Sequence, residues 1–166
     1  MKWNTIDKIN SLLSGYNDSS YWKMRFALYN TTLPTVLRYW YLIRCKRMEA
    51  KNCASLGIRP DGGAVFVSKP ILPHGIKGIF IAPSAKIGKN VTIYQQVNIA
   101  IKFPNDKAAP TLGDNILIGA GAKIIGPIKI GSNVKIGANA VVTKDIPDNC
   151  TVVGNPARIV HNHQNV

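Results

Sequence analysis

The stretch IGAGAKIIGPIKIGSNVKIGANAVV, Ile118 to Val142, sets isoleucine at Ile118, Ile124, Ile130 and Ile136, with Val142 next in line. An interval of six matches neither a helix of 3.6 residues per turn nor the two-residue alternation of a flat strand. The rhythm reaches back to Leu112, and an earlier block keeps it at Ile81, Ile87, Ile93 and Ile99. Four residues after the anchors stand Ala85, Val91, Val97, Ile116, Ala122, Ile128, Val134, Ala140 and Ile146. An aliphatic residue at every sixth position can stack on its counterpart one coil away, and glycine lets the chain bend between short faces. Coils spaced by about 4.8 Å satisfy each other's backbone groups and leave only the ends open. The spacing therefore predicts a mainly β fold, a parallel β-helix in which one hexad is one side of a three-sided coil.

A helical reading fails on the eight Gly and Pro residues between Gly113 and Pro147, each unfavourable in a helix interior. A calcium-binding β-roll fails because its repeated Gly–Gly–x–Gly–x–Asp is absent. The two blocks are separated by thirteen residues from Ile99 to Leu112 rather than six. IKFPNDKAAP, residues 101–110, is thus read as an excursion from the coil, the kind of loop that often carries function.

Ahead of the repeats, SSYWKMRFALYN and TTLPTVLRYWYLIRCKRMEAKNC read as helices. In the second, Thr32 is expected as cap and Pro34 in the first turn, with Leu33, Val36, Trp40 and Ile43 on one face. Residues 1–57 form a helical segment in this reading, 58–160 the β-helix and 161–166 a tail. The helices are expected to lid the first coil, since repeat folds need caps. Their Trp, Tyr and Arg content also suits peripheral contact with a membrane.

The 166 residues carry a formal net charge of +13, with 46% hydrophobic and 17% charged residues. Such a chain buries a core, and its basicity suits anionic partners without choosing among them. Residues 1–60 hold ten Lys and Arg against three acids. No apolar run approaches the roughly 20 residues of a membrane span, and the N-terminus lacks a signal-peptide core, so a cytoplasmic location is expected. Cys45, Cys53 and Cys150 have no metal or redox spacing. His74, His161 and His163 cannot assemble a zinc site of the carbonic anhydrase kind. No aromatic–basic motif marks a nucleic-acid binder. Neither metal nor nucleic acid is expected.

LPHG, the hexads, the excursion and the terminal GNPARIV together resemble the left-handed β-helix acyltransferases, a hexapeptide-repeat family that includes serine acetyltransferases and polysaccharide O-acetyltransferases. The resemblance covers about residues 58–160. It implies a left-handed coil, a homotrimer with active sites between subunits, and acetyl-CoA as acetyl donor. It also implies that His74 is the general base, since its LP–His–G setting matches the family's catalytic histidine. Asp61, the nearest upstream acid, is the candidate to orient the imidazole. Gly119, Ala120, Gly121 and Ala138 match positions where the pantetheine arm meets backbone. Thr143, Lys144 and Arg158 match the region that meets the CoA nucleotide and phosphates. Phe103, Asn105 and Asp106 of the excursion are the candidate acceptor contacts. Direct attack by a hydroxyl on a thioester needs a base and an oxyanion partner but no enzyme nucleophile.

Two positions depart from the serine enzymes. Pro73 stands where they carry an aspartate before the histidine, and Ala109 where they carry a histidine before the loop proline. A site for an amino acid should hold charged partners for it. The first expectation is therefore a sugar hydroxyl of a bacterial surface polysaccharide, capsule or O-antigen, as acceptor, with work at the inner face of the membrane. The second is the serine O-acetyltransferase of cysteine biosynthesis, and a non-catalytic hexapeptide scaffold is the alternative of another class.

Overall fold

A computed structural model of the chain describes residues 13, 15–29, 32–60, 63–103 and 109–162. Among these residues two helices, α1 (Asp18–Ala27) and α2 (Thr35–Lys51), precede thirteen short strands. The strands build three sheets that the chain visits in rotation. Face one holds β2 (Phe80–Ile81), β5 (Asn98–Ala100), β8 (Lys123–Ile125) and β11 (Val141–Val142). Face two holds β1 (Val65–Phe66), β3 (Lys86–Ile87), β6 (Thr111–Leu112) and β9 (Lys129–Ile130). Face three holds β4 (Thr92–Ile93), β7 (Leu117–Ile118), β10 (Lys135–Ile136) and β12 (Cys150–Val153). Single parallel bridges extend each face by one coil: Ser55 to Phe80, Ile71 to Thr92 and Ile130 to Ile146. The coil thus begins at Ser55.

Register explains the six-residue rhythm. Ile118 pairs with Ile136 and Ile124 with Val142, eighteen residues or three hexads apart. Each face therefore stacks anchor on anchor: Ile81, Ile99, Ile124 and Val142 line the inside of face one, all buried. The small or aliphatic residues four places after the anchors, from Ala85 to Ile146, are buried as well. Burying each large aliphatic side chain contributes roughly 1.5–3 kcal/mol, and the ladder repeats that gain at every coil. The excursion shows as a register of twenty-five between Ile99 and Ile124. Phe66 pairs with Ile87 at twenty-one, so the turn from Phe66 to Ile87 carries three extra residues; they fall between Ile71 and Phe80, in the corner that holds His74.

The corner between faces two and three carries a polar ladder. Asn90, Asn115, Asn133 and Asn149 sit there at φ of 53°, 56°, 58° and 58°, a left-handed conformation that asparagine tolerates better than other side chains. The Nδ2 of Asn90 donates to Asn115 Oδ1 at 3.1 Å, Asn115 to Asn133 at 3.1 Å, and Asn133 to Asn149 at 2.9 Å. The segments Gly88–Asn90, Gly113–Asn115, Gly131–Asn133 and Pro147–Asn149 each end on that asparagine.

Both ends of the prism are closed. At the C-terminal end β13 (Arg158–Asn162) pairs antiparallel with β12 and covers its open edge. At the other end α1 lies over the first coil, with Trp22 edge-on to Phe66 at 5.1 Å and the buried Arg25 guanidinium 5.1 Å over the same ring. Arg25 Nη2 donates to Ala64 O at 2.8 Å. Helix α2 braces α1 through Glu49, which accepts from the Tyr21 hydroxyl at 2.6 Å and from Leu56 N at 3.2 Å.

Helix α2 departs from expectation at two points. Thr32 does not cap it; Pro34 holds the capping position, with no side-chain hydrogen bond. The face of Val36, Trp40 and Ile43 points outward, while Cys45 and Glu49 face inward. The stronger burial of α1, through Tyr21, Trp22, Met24 and Arg25, explains why: Trp22 and Arg25 fill the space over Phe66. Cys45 and Cys150 are buried and Cys53 exposed, none in a disulfide.

Candidate active site

His74 lies in the corner between faces three and one, on the coil that bridges Ile71 to Thr92. The extra residues of LPHGIKG swell that corner, and Gly75 N donates back to Leu72 O at 3.0 Å to close its turn. The His74 ring is exposed, and its centroid stands 5.9 Å from that of Tyr94 at 49°. Tyr94 occupies the same corner one coil further on, directly after β4. The imidazole is thus held against an aromatic neighbour with open solvent on its other side, as a base that receives a diffusing substrate requires.

The same edge continues through the candidate pantetheine positions. Gly119, Ala120 and Gly121 turn the corner after β7, and Ala138 turns it after β10. Asn139 N donates to Ala120 O at 2.9 Å, and Gly121 N to Gln95 O at 3.0 Å, tying the successive corners together. Gly119 cannot be larger: a Cβ there would lie 2.6 Å from Ala138 N and 2.9 Å from its Cα. Gly121 has φ of +71°, which disfavours any side chain. The result is a smooth strip of backbone and methyl groups. The hairpin from Gly154 to Ala157 seals its far end, with Ala157 N donating to Val141 O at 2.9 Å, and Arg158 follows on β13 beside Val153, exposed. From His74 to that hairpin is four coil steps, roughly 19 Å at about 4.8 Å each.

Other candidates fall on a different edge. Thr143 and Lys144 follow β11 at the corner between faces one and two, both exposed. Phe103, 87% exposed, leaves the coil at that same corner after β5. Within one chain the structure therefore gathers His74, Gly119, Ala120, Gly121, Ala138 and Arg158 on one edge, and Phe103, Thr143 and Lys144 on the next, with face one between. Asp61, Asn105 and Asp106 lie outside the described residues. Tyr94 and Gln95 were not singled out by the sequence reading; their signal is position alone, the corner of the hexad that follows His74. Gln95 Oε1 is buried at this edge with no hydrogen-bond partner among the described residues. An open groove of about 520 Å³ crosses face two at Thr111, Lys129, Asp145 and Pro147, away from the histidine edge.

Residues 109–144 match the bacterial transferase hexapeptide (six repeats) family. The serine acetyltransferase of Mycobacterium tuberculosis is 38% identical over 134 residues, 77% of this chain and 58% of its own length. This chain carries hexapeptide repeats and is similar to serine acetyltransferases along its coil. Among solved structures, soybean serine acetyltransferase complexed with serine has a TM-score of 0.71 at 31% identity, over 91% of this chain and 60% of that one. The Brucella abortus enzyme in complex with coenzyme A has a TM-score of 0.68 at 28% identity, over 87% of this chain and 54% of that one. The chain spans about half the length of the curated relatives it matches.

These relatives correct the expected acceptor. The absence of polar residues at Pro73 and Ala109 pointed to a sugar of a surface polysaccharide, yet the relatives are serine acetyltransferases and one neighbour is complexed with serine itself. Pro73 and Ala109, the one next to His74 and the other at the end of the excursion, are outweighed by the likeness of the whole coil.

Proposed function

We propose that the chain is an acetyl-CoA-dependent serine O-acetyltransferase of cysteine biosynthesis, working in the cytoplasm as a homotrimer of left-handed prisms. The observation that carries the reading is the shared edge: one exposed imidazole at the head of a strip of small residues long enough for a pantetheine arm. The solved neighbour with coenzyme A and the one with serine support the two substrates.

In this reading the pantetheine lies along Gly119, Ala120, Gly121 and Ala138, where backbone groups meet its amides. Arg158 answers the phosphates at the far end. Thr143 and Lys144, on the other edge, reach the nucleotide of the site they share with a neighbouring subunit, and Phe103 reaches the acceptor from there. Two edges on opposite sides of face one can serve one crevice only across a subunit boundary.

His74 takes the hydroxyl proton as the serine oxygen attacks the thioester carbonyl. The carbonyl oxygen becomes an oxyanion in a tetrahedral intermediate. Collapse expels the CoA sulfur, which receives the proton from the imidazolium, leaving O-acetylserine and free thiol. The base returns to its starting state, and no acyl-enzyme forms.

The test supplies acetyl-CoA with serine and follows thiol release. Turnover with serine, lowered about 10²–10⁴-fold by His74→Ala with CoA affinity retained, is the expected result. Coenzyme A binding without any release in the presence of serine would overturn the acceptor; an unchanged rate in His74→Ala would overturn the base.

A further inference from the structure

Helix α2 buries one side against the lid and leaves the other without a partner among the described residues. On the outer side Val36, Trp40 and Ile43 are 83%, 48% and 53% exposed. They fall at i, i+4 and i+7, and Arg47 continues the stripe at i+11, so all four lie on one face. Tyr39 flanks the stripe on one side and is half exposed. On the other side the Arg44 guanidinium lies 4.9 Å over the Trp40 ring. Lys46 and Lys51 are exposed toward the C-terminal end. The one acid of the helix, Glu49, is buried on the inner side and bonded to Tyr21, Leu56 and Lys46. The outer face is therefore apolar and aromatic in its first half, cationic in its second, and free of carboxylates.

We propose that this face docks on an anionic lipid surface. Val36, Trp40 and Ile43 enter the boundary between headgroups and acyl chains, and Arg44, Arg47 and Lys51 meet the lipid phosphates. A helix with cations beside an aromatic–aliphatic stripe suits that plane, where tryptophan and tyrosine keep one part wet and one part apolar. A second copy of the chain would have to bury the Arg44 and Arg47 guanidinium groups against a face that offers no carboxylate, which is strongly unfavourable. A polyanion without apolar surface would match the charge but leave Val36, Trp40 and Ile43 in water. No helix among the described residues is long and apolar enough to cross a membrane, so the contact is with the surface. The net charge of +13 adds long-range attraction.

Flotation of the full chain with phosphatidylglycerol–phosphatidylcholine vesicles at physiological salt tests this. The wild-type protein is expected to float with them and to stay behind with pure phosphatidylcholine. Arg44→Gln with Arg47→Gln should weaken binding about thirtyfold, the effect of two cations at such a surface, and Trp40→Glu with Ile43→Glu should abolish it. Circular dichroism and thiol release from acetyl-CoA report that both variants keep the wild-type fold, since these side chains touch neither the coil nor the histidine edge. Absence of flotation overturns the proposal. So does equal flotation of wild type and the two folded variants. A sedimentation change in the variants, with wild type indifferent to vesicles, would instead make the face a self-association surface.

Discussion

His74 and Tyr94 sit one above the other on adjacent coils, ring centroids 5.9 Å apart and inclined at 49°. The contact is a product of the repeat: the corner after Ile71 and the corner after Ile93 are stacked, so whatever follows the histidine coil by one turn becomes its neighbour. In a corner swollen by three residues, an aromatic wall is what limits the swing of the imidazole. Tyr94→Ala should lower kcat about tenfold while leaving the KM for acetyl-CoA within about twofold, the pattern of a lost positioning contact. Tyr94→Phe keeps the ring and should stay near wild type. Steady-state kinetics of the two variants separates a positional role from one that needs the hydroxyl.

The close approach of Gly119 to Ala138 yields a second prediction. A Cβ at position 119 would press on backbone atoms of the next coil at 2.6 and 2.9 Å, and backbone cannot swing aside as a side chain can. Gly119→Ala should therefore cost about 1–3 kcal/mol of stability and weaken coenzyme A binding by distorting the strip. Gly126→Ala is the contrast: its Cβ would meet only Lys102 Cβ at 3.6 Å, though its φ of +100° still carries strain. Thermal melts and calorimetry with coenzyme A check both, and only the first should lose coenzyme A affinity.

The asparagine ladder supplies a third. Asn115 donates to Asn133 and accepts from Asn90 while holding φ of 56°. Asn115→Ala removes both hydrogen bonds and puts an alanine in a left-handed conformation, so it should cost about 2–3 kcal/mol. Asn115→Gly loses the same bonds but relieves the backbone, and should recover about 1 kcal/mol of that loss. Chemical denaturation of the two variants gives the comparison.

What the sequence made legible follows from periodicity. Ile118 to Val142 announced its spacing because stacked coils reuse the same inward position, and every anchor named from it is buried. The ladder of Asn90, Asn115, Asn133 and Asn149 kept the same beat but sits outside the aliphatic positions, so a search for hydrophobic periodicity passes over it. Helix α2 misled for a related reason: the stripe of Val36, Trp40 and Ile43 has core-like spacing, and spacing alone does not say which side of a helix the fold covers. At the site, His74 stood out by its corner and its rarity. Its separation from Thr143, Lys144 and Phe103 by a whole face did not, since edge membership depends on counting hexads through an excursion and a swollen corner. Acceptor identity was the least legible: Pro73 and Ala109 record which polar residues are missing and not what replaces them.

The buried groups under the lid set an alkaline limit. Burial, with smaller help from Glu49, pushes the Cys45 thiol up from 9.0 to about 12, and burial followed by the Glu49 carboxylate raises the Tyr21 phenol well above its ordinary 10.0. Between pH 9 and about 12 the unfolded chain releases the Cys45 proton while the folded chain retains it, so the unfolded state binds fewer protons and stability falls as pH rises. Below pH 9 the thiol is protonated in both states and its contribution is flat. The melting temperature should therefore hold steady up to about pH 9 and then decline, with Tyr21 steepening the fall once its unfolded phenol begins to ionise near pH 10. Cys45→Ala removes the first part only: its melting temperature, lower at neutral pH by the lost packing, should stay level until about pH 10. Melting curves from pH 8 to pH 11 on both proteins decide it, and a wild-type curve that stays level to pH 11 would mean that the lid does not keep these groups dry.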